Sequence, residues 1–211
     1  MTKPALEPDL RFYGILTNPK VGYERLAQVL VARGVRFVQL RMKDCAREEV
    51  RQVAMRVRRI VTLPSLFILN DDPQLAAEVG ADGVHLGQGD MPYAKARAIV
   101  GEDAIIGLST HNPSQTAAAC ALAPDYIGVG PVFPTPTKKL ADPSIGIEGM
   151  RQMLELSTVP TVVLGSLDVS NLRPVFAAGA LGFASVRPIN DTLAPEDALD
   201  ELLRLETNAK N

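Results

Sequence analysis

The chain has 211 residues, 46% of them hydrophobic and 22% charged, which is ordinary for a soluble globular protein and enough for one well-buried core. A net charge of −2 and a pI near 5.7 exclude a global positive field that would draw it to nucleic acid or an anionic membrane, so any bound anion must be met by local groups. No apolar run approaches the roughly 20 residues that span a bilayer, and the first residues carry no hydrophobic segment of the secretory kind, so a cytoplasmic protein with no membrane partner is expected. Cys45 and Cys120 are too few for a disulfide framework and read as reduced, mostly structural thiols.

In chain order, short β-rich runs begin at Phe12 (FYGILT), Phe37 (FVQLRM), Leu66 (LFILN), Gly83 (GVHLG), Ile105 (IIGLST), Tyr126 (YIGVG), Thr161 (TVVLG) and Phe183 (FASV). Helical periodicity fills the intervals: Arg25 to Ala32, Arg47 to Val61, Gln74 to Val79, Tyr93 to Val100, Pro113 to Leu122, Gly146 to Leu156, Asn171 to Ala178 and Pro195 to Leu205. The strands are nearly continuous apolar runs, as parallel strands covered on both faces are. GADGVHLG, APDYIGVG and GALGFASV echo one another, each joining a helix end to the next strand through a small-residue turn. Eight such units without a Gly-rich dinucleotide fingerprint predict an α/β fold, a single (β/α)8 TIM barrel over residues 1–211, frayed at 1–9 and 207–211.

In such a barrel the C-terminal ends of the strands converge on one site. Alternate spacing puts Gln39, Arg41 and Lys43 on one face of an extended segment, and burial of such groups without partners would be costly. The third strand ends in Asn70, Asp71 and Asp72, and the fourth in His85, Gln88 and Asp90. Asp71 and Asp90, from neighbouring strands, are expected to share one cation. Oxygen ligands without a cysteine or a histidine pair favour magnesium over zinc. Asp72 reads instead as the cap of the helix that Pro73 begins, and His85 as a hydrogen-bonded core residue. Ser109 is placed to donate to a phosphate, while Thr110 and His111 serve equally to initiate the next helix. The sixth strand runs into a loop with Thr135, Pro136, Thr137, Lys138 and Lys139, whose hydroxyls and ammonium groups suit a phosphate or pyrophosphate. Gly165 and Ser166 end the seventh strand; Ser185, Val186 and Arg187 end the eighth. Loops at these two positions hold phosphate in many barrels, and Arg187 reads equally as a fork on that anion or as a surface charge. No Gly-x-Ser-x-Gly elbow and no Ser, His, Asp order supports a hydrolase triad.

Taken in order, QLRMK, LND, GVHLGQGD, GLSTH and YIGVGPVFPTPTKK resemble the thiamine phosphate synthase family, from Tyr13 almost to the last helix. The resemblance implies a (β/α)8 transferase that joins 4-amino-2-methyl-5-hydroxymethylpyrimidine diphosphate to 4-methyl-5-(2-phosphooxyethyl)thiazole. Thiamine phosphate and pyrophosphate are the products, through a pyrimidine carbocation. Position by position it implies that Gln39 to Lys43, Asn70, Ser109 and Lys138 hold the pyrimidine diphosphate and that Asp71 and Asp90 bind Mg2+. Thr135 to Thr137 and Gly165 would then serve the thiazole phosphate, and Val186 and Arg187, by their position at the end of the eighth strand, are further candidates for binding that substrate. Arg41, Lys43 and Lys138 would neutralise the leaving group, with no protein nucleophile.

The departures from the family cluster at the thiazole end. Gly165-Ser166-Leu167 stands where the family usually has Gly-Gly-Ile, and Arg187-Pro188-Ile189 where it usually has Ser-Ala-Ile. Ser166 adds a side chain there and Pro188 removes a backbone donor, while Arg187 offers a stronger charge-assisted contact. The alternatives are a related thiazole tautomerase and a non-catalytic thiamine-precursor binding protein. Asp90 and the Thr135 to Lys138 loop argue against the tautomerase, and a generic phosphosugar barrel leaves the paired carboxylates unexplained. The expected partners are the two phosphorylated small molecules; the oligomeric state, a homo-oligomer included, stays open.

Overall fold

Side chains alternate along the strands, and each face of the sheet has its own apolar core. In a computed structural model, which describes residues 6–7, 9–134 and 143–210, the strands are β1 (Tyr13–Leu16), β2 (Phe37–Leu40), β3 (Leu66–Asn70), β4 (Gly83–Leu86), β5 (Ile105–Thr110), β6 (Tyr126–Val129), β7 (Thr161–Leu164) and β8 (Phe183–Ala184). They form one parallel sheet in sequence order. A parallel bridge between Phe12 and Phe183 brings the last strand back to the first and closes the barrel. Tyr13, Ile15, Phe37, Leu66, Ile68, Ile105, Tyr126 and Val162 fill the interior. The alternate positions, Leu16, Val38, Leu40, Phe67, Leu69 and Val84 among them, pack outward against the helices.

Those helices are α1 (Tyr23–Ala32), α2 (Arg47–Arg58), α3 (Pro73–Glu78), α4 (Tyr93–Val100), α5 (Pro113–Ala121), α6 (Gly146–Leu156), α7 (Leu172–Ala177), α8 (Arg187–Asn190) and α9 (Pro195–Lys210). Asp72 caps α3 by accepting from the Leu75 N–H at 2.8 Å, with Pro73 opening the helix. Asn112 does the same for α5 through the Gln115 N–H at 2.9 Å, so neither Thr110 nor His111 is the initiator. Thr110 is instead buried and donates to the Gly128 carbonyl at 2.9 Å.

Several boundaries differ from expectation, among them the second strand, which stops at Leu40 instead of running through Met42 and so leaves Arg41 just past its end. The eighth strand stops at Ala184 instead of running through Val186, because the chain turns into the unexpected short helix α8. The second helix ends at Arg58, three residues early, where the Arg58 guanidinium donates to the Val61 carbonyl and pairs with Asp82. The last helix continues five residues past Leu205 to Lys210. Among the described residues no helix is long and apolar enough to cross a membrane.

Candidate active site

The barrel interior is not uniformly apolar. Near its C-terminal mouth, inward-facing polar groups from four strands and the β5 end form a chain of hydrogen bonds. Gln39 Nε2 donates to the Tyr13 hydroxyl at 3.1 Å, and the Tyr13 and Tyr126 hydroxyls lie 2.7 Å apart. The Tyr126 hydroxyl also meets His85 Nδ1 at 3.0 Å, and His85 Nε2 meets Ser109 Oγ at 2.9 Å. Burial raises the Tyr13 and Tyr126 phenols above their usual range. Burial likewise pushes His85 down to about 4; the Asp90 charge opposes this, and Arg41 and His111 add to it. At neutral pH the chain is therefore uncharged from end to end. Gln39 is only 3% exposed, but it is not the unpartnered amide whose cost suggested a ligand, because Tyr13 satisfies it.

Above this floor opens a cavity of about 180 Å³. Of the residues expected to form the site, it brings together Gln39, Arg41, Asn70, Ser109, Gly165 and the Val186–Arg187 pair. Its apolar walls include Ile15, Val162 and Leu164. Among the described residues neither the Arg41 nor the Arg187 guanidinium forms an ion pair, so both charges remain available at the mouth. Gly165 has φ +117°, and a Cβ there would stand 2.5 Å from both Pro131 Cα and Val132 N. The glycine is thus required by the approach of its own chain as well as open to a ligand. Ser166 also adopts a positive φ, and its hydroxyl donates to the Pro134 carbonyl at 2.7 Å, tying it to the loop after β6. His111 lines the cavity and donates through Nδ1 to the Gly130 carbonyl.

Lys43, Asp71 and Asp90 stand apart from the cavity walls. The two carboxylates line a shallower groove on the rim, together with Arg47 and Asp72. Lys43 pairs with Asp71, whose backbone is left-handed at φ 70° and whose N–H donates to the His85 carbonyl. Asp90 accepts from the Gly87 N–H at 2.7 Å. Its carboxyl is pushed up by partial burial and by the neighbouring Asp71 carboxyl, with Gly87 and Lys43 opposing. A carboxyl raised by an adjacent carboxylate fits a hard cation, which would relieve that repulsion. Among the described residues no cluster of three or more His, Cys, Asp or Glu side chains forms a closed metal cage. The pair instead suits an ion that takes its other ligands from water or phosphate. Thr135, Pro136, Thr137, Lys138 and Lys139 lie outside the described residues.

Tyr13, Tyr126 and Asn190 belong to the site without standing in any of the polar strand-end clusters of the sequence. A tyrosine inside an otherwise apolar strand was the available signal for the first two; nothing local marks Asn190.

The fold and the position of the cavity place the protein among (β/α)8 barrels with a ligand site at the C-terminal mouth. The profile of the TMP-TENI, or thiamine monophosphate synthase, family matches residues 15–189, and the chain belongs to that family. The thiamine-phosphate synthase of Gloeobacter violaceus is 42% identical over 87% of this chain and 53% of its own length. That of Archaeoglobus fulgidus is 38% identical over 98% of both chains. The chain therefore spans about half the length of the first relative and nearly all of the second. Among solved structures, thiamine phosphate pyrophosphorylase from Pyrococcus furiosus superposes with a TM-score of 0.86 at 27% identity, covering 97% of this chain and 98% of that one.

Proposed function

We propose that the chain is a magnesium-dependent thiamine phosphate synthase. It condenses 4-amino-2-methyl-5-hydroxymethylpyrimidine diphosphate with 4-methyl-5-(2-phosphooxyethyl)thiazole. The carrying observation is one cavity lined by Arg41 and Arg187, neither in an ion pair among the described residues, together with a separate groove that holds the Asp71 and Asp90 carboxylates. Family membership and the relatives' names support the same reading. In the reaction the thiazole nitrogen forms a bond to the pyrimidine methylene carbon. The carbon–oxygen bond to the diphosphate breaks, and its electron pair leaves with pyrophosphate.

The protein's own groups have defined tasks in this reading. Arg41, Lys43 and Lys138 bind and neutralise the diphosphate as charge collects on the leaving oxygen, an effect typically worth several kcal/mol. Asn70 and Ser109 donate to the same substrate, and Gln39 closes the floor beneath it. Gly165, Thr135 to Thr137, Val186 and Arg187 orient the thiazole phosphate so that its ring nitrogen faces the methylene. Asp71 and Asp90 would hold Mg2+, which supplies additional charge stabilisation to the leaving pyrophosphate when bound. The apolar walls limit the access of water that would compete with the thiazole nitrogen.

The test is detection of thiamine phosphate from the purified full chain given both substrates and magnesium, with and without chelator. Chelator-sensitive product is expected, and Asp71→Ala should remove at least about 99% of turnover while the far-ultraviolet spectrum stays unchanged. Absence of product from folded wild-type protein would overturn the assignment.

A further inference from the structure

With only two residues, β8 leaves the outer edge of β1 without a strand partner above Phe12 and Phe183. Two of the groups concerned are the Ile15 carbonyl and the Thr17 N–H, which flank Leu16. In a parallel ladder a single residue of the adjoining strand serves both, donating to the first and accepting from the second. Here the side chain of Asn190 does so: Nδ2 donates to the Ile15 carbonyl at 2.8 Å, and Oδ1 accepts from the Thr17 N–H at 2.8 Å. The second Nδ2 hydrogen goes to the Val186 carbonyl at 2.8 Å, which also accepts from the Asn190 backbone N–H at 3.1 Å. Asn190 is 1% exposed, so both amide hydrogens are committed inside the protein, and the Lys20 N–H ties its carbonyl to the loop after β1.

We propose that Asn190 is a positioning residue, its carboxamide standing in for the residue that a longer β8 would place opposite Leu16 and holding the Val186–Arg187 turn against β1. The wall so placed comprises Thr17, Val186 and Arg187, all of which line the cavity. Its functional meaning rests on the synthase reading, in which this wall meets the thiazole phosphate. Asn190 acts through its neighbours and touches no substrate. Asn190→Asp keeps the size and the acceptor for Thr17 but loses both donors and sets a charge against two carbonyls. Asn190→Ala removes all three bonds.

The experiment combines steady-state kinetics with backbone amide exchange followed by mass spectrometry. In the wild type the Thr17 amide should exchange as slowly as those of Gly14 and Leu16, which face β2. In both variants protection should fall at Thr17 and at Val186 to Asn190 while the other strands keep theirs. KM for the thiazole phosphate should rise about tenfold, with KM for the pyrimidine diphosphate within twofold of wild type. A rapidly exchanging Thr17 amide in the wild type would overturn the proposal without any variant having to fold. Equal changes in both KM values, or variants with unaltered exchange, would overturn it as well. If the wild type forms no thiamine phosphate, the synthase reading fails by itself, and the exchange pattern alone decides the role of Asn190.

Discussion

His85 illustrates how a single residue's surroundings decide its chemistry. Its ring nitrogens are both engaged, by Tyr126 and Ser109, and burial holds its acid dissociation near 4 against an ordinary value of 6.5. The folded protein therefore refuses a proton that the unfolded chain accepts between those two values. Because the unfolded state binds more protons in that window, stability falls as pH drops from about 6.5 to about 4, by up to roughly 3 kcal/mol, and this contribution is flat outside it. Urea denaturation of wild type and His85→Gln at pH 7 and pH 5 checks this. The wild type should lose more stability than the variant on acidification, and equal losses would show that His85 is not buried as a neutral group. Gln39 makes a complementary point: its type and position in β2 suggested a ligand-binding amide, whereas its immediate partner is a tyrosine hydroxyl inside the barrel.

At the scale of elements, β5 and β6 depend on each other through an absence. A Cβ on Gly107 would lie 2.1 Å from Tyr126 Cζ and 2.5 Å from its hydroxyl oxygen, so the glycine in β5 is what admits the Tyr126 ring into the barrel. Gly107→Ala should force that ring to shift, break its bonds to Tyr13 and His85, and cost about 1–3 kcal/mol. A double-mutant cycle separates this from intrinsic strand effects. In a Tyr126→Leu background the same substitution should cost less than half as much, since the obstructing ring is gone. Additive effects would remove the packing explanation. Gly165 is a second case, where the crossing of the loop after β6, at Pro131 and Val132, leaves no room for a side chain.

For the molecule as a whole, closure is the property that makes a site out of scattered strand ends. Phe183 is fully buried, bridges to Phe12, packs edge-on against it at 5.2 Å and against Phe176 at 5.1 Å. The residue thus ties β8 to both the first strand and α7. Phe183→Ala should lower unfolding free energy by about 3–5 kcal/mol in a denaturant titration, through lost burial and the cavity left behind. A loss under about 1 kcal/mol would mean that the seam is held elsewhere. Such a loss would shift the weight to the Asn190 carboxamide and its contacts on the same seam.

The local pattern of the chain was sufficient for the fold class, the order of strands and helices, and the cap at Asp72 with Pro73 behind it. Apolar runs, helical periodicity and capping chemistry all act over a few residues and leave their mark in adjacent positions. The same locality exposed Arg41, Asn70, Asp71, Asp90 and Ser109 as polar groups finishing apolar strands. What only the tertiary structure decided are the partners across the barrel. Tyr13 meets Tyr126 across 113 positions, and Asn190 meets Ile15 across 175. Barrel closure creates those contacts, and separations of that length have no periodic signature, so the neutral floor of the site and the carboxamide that completes its wall became legible only once the last strand lay beside the first.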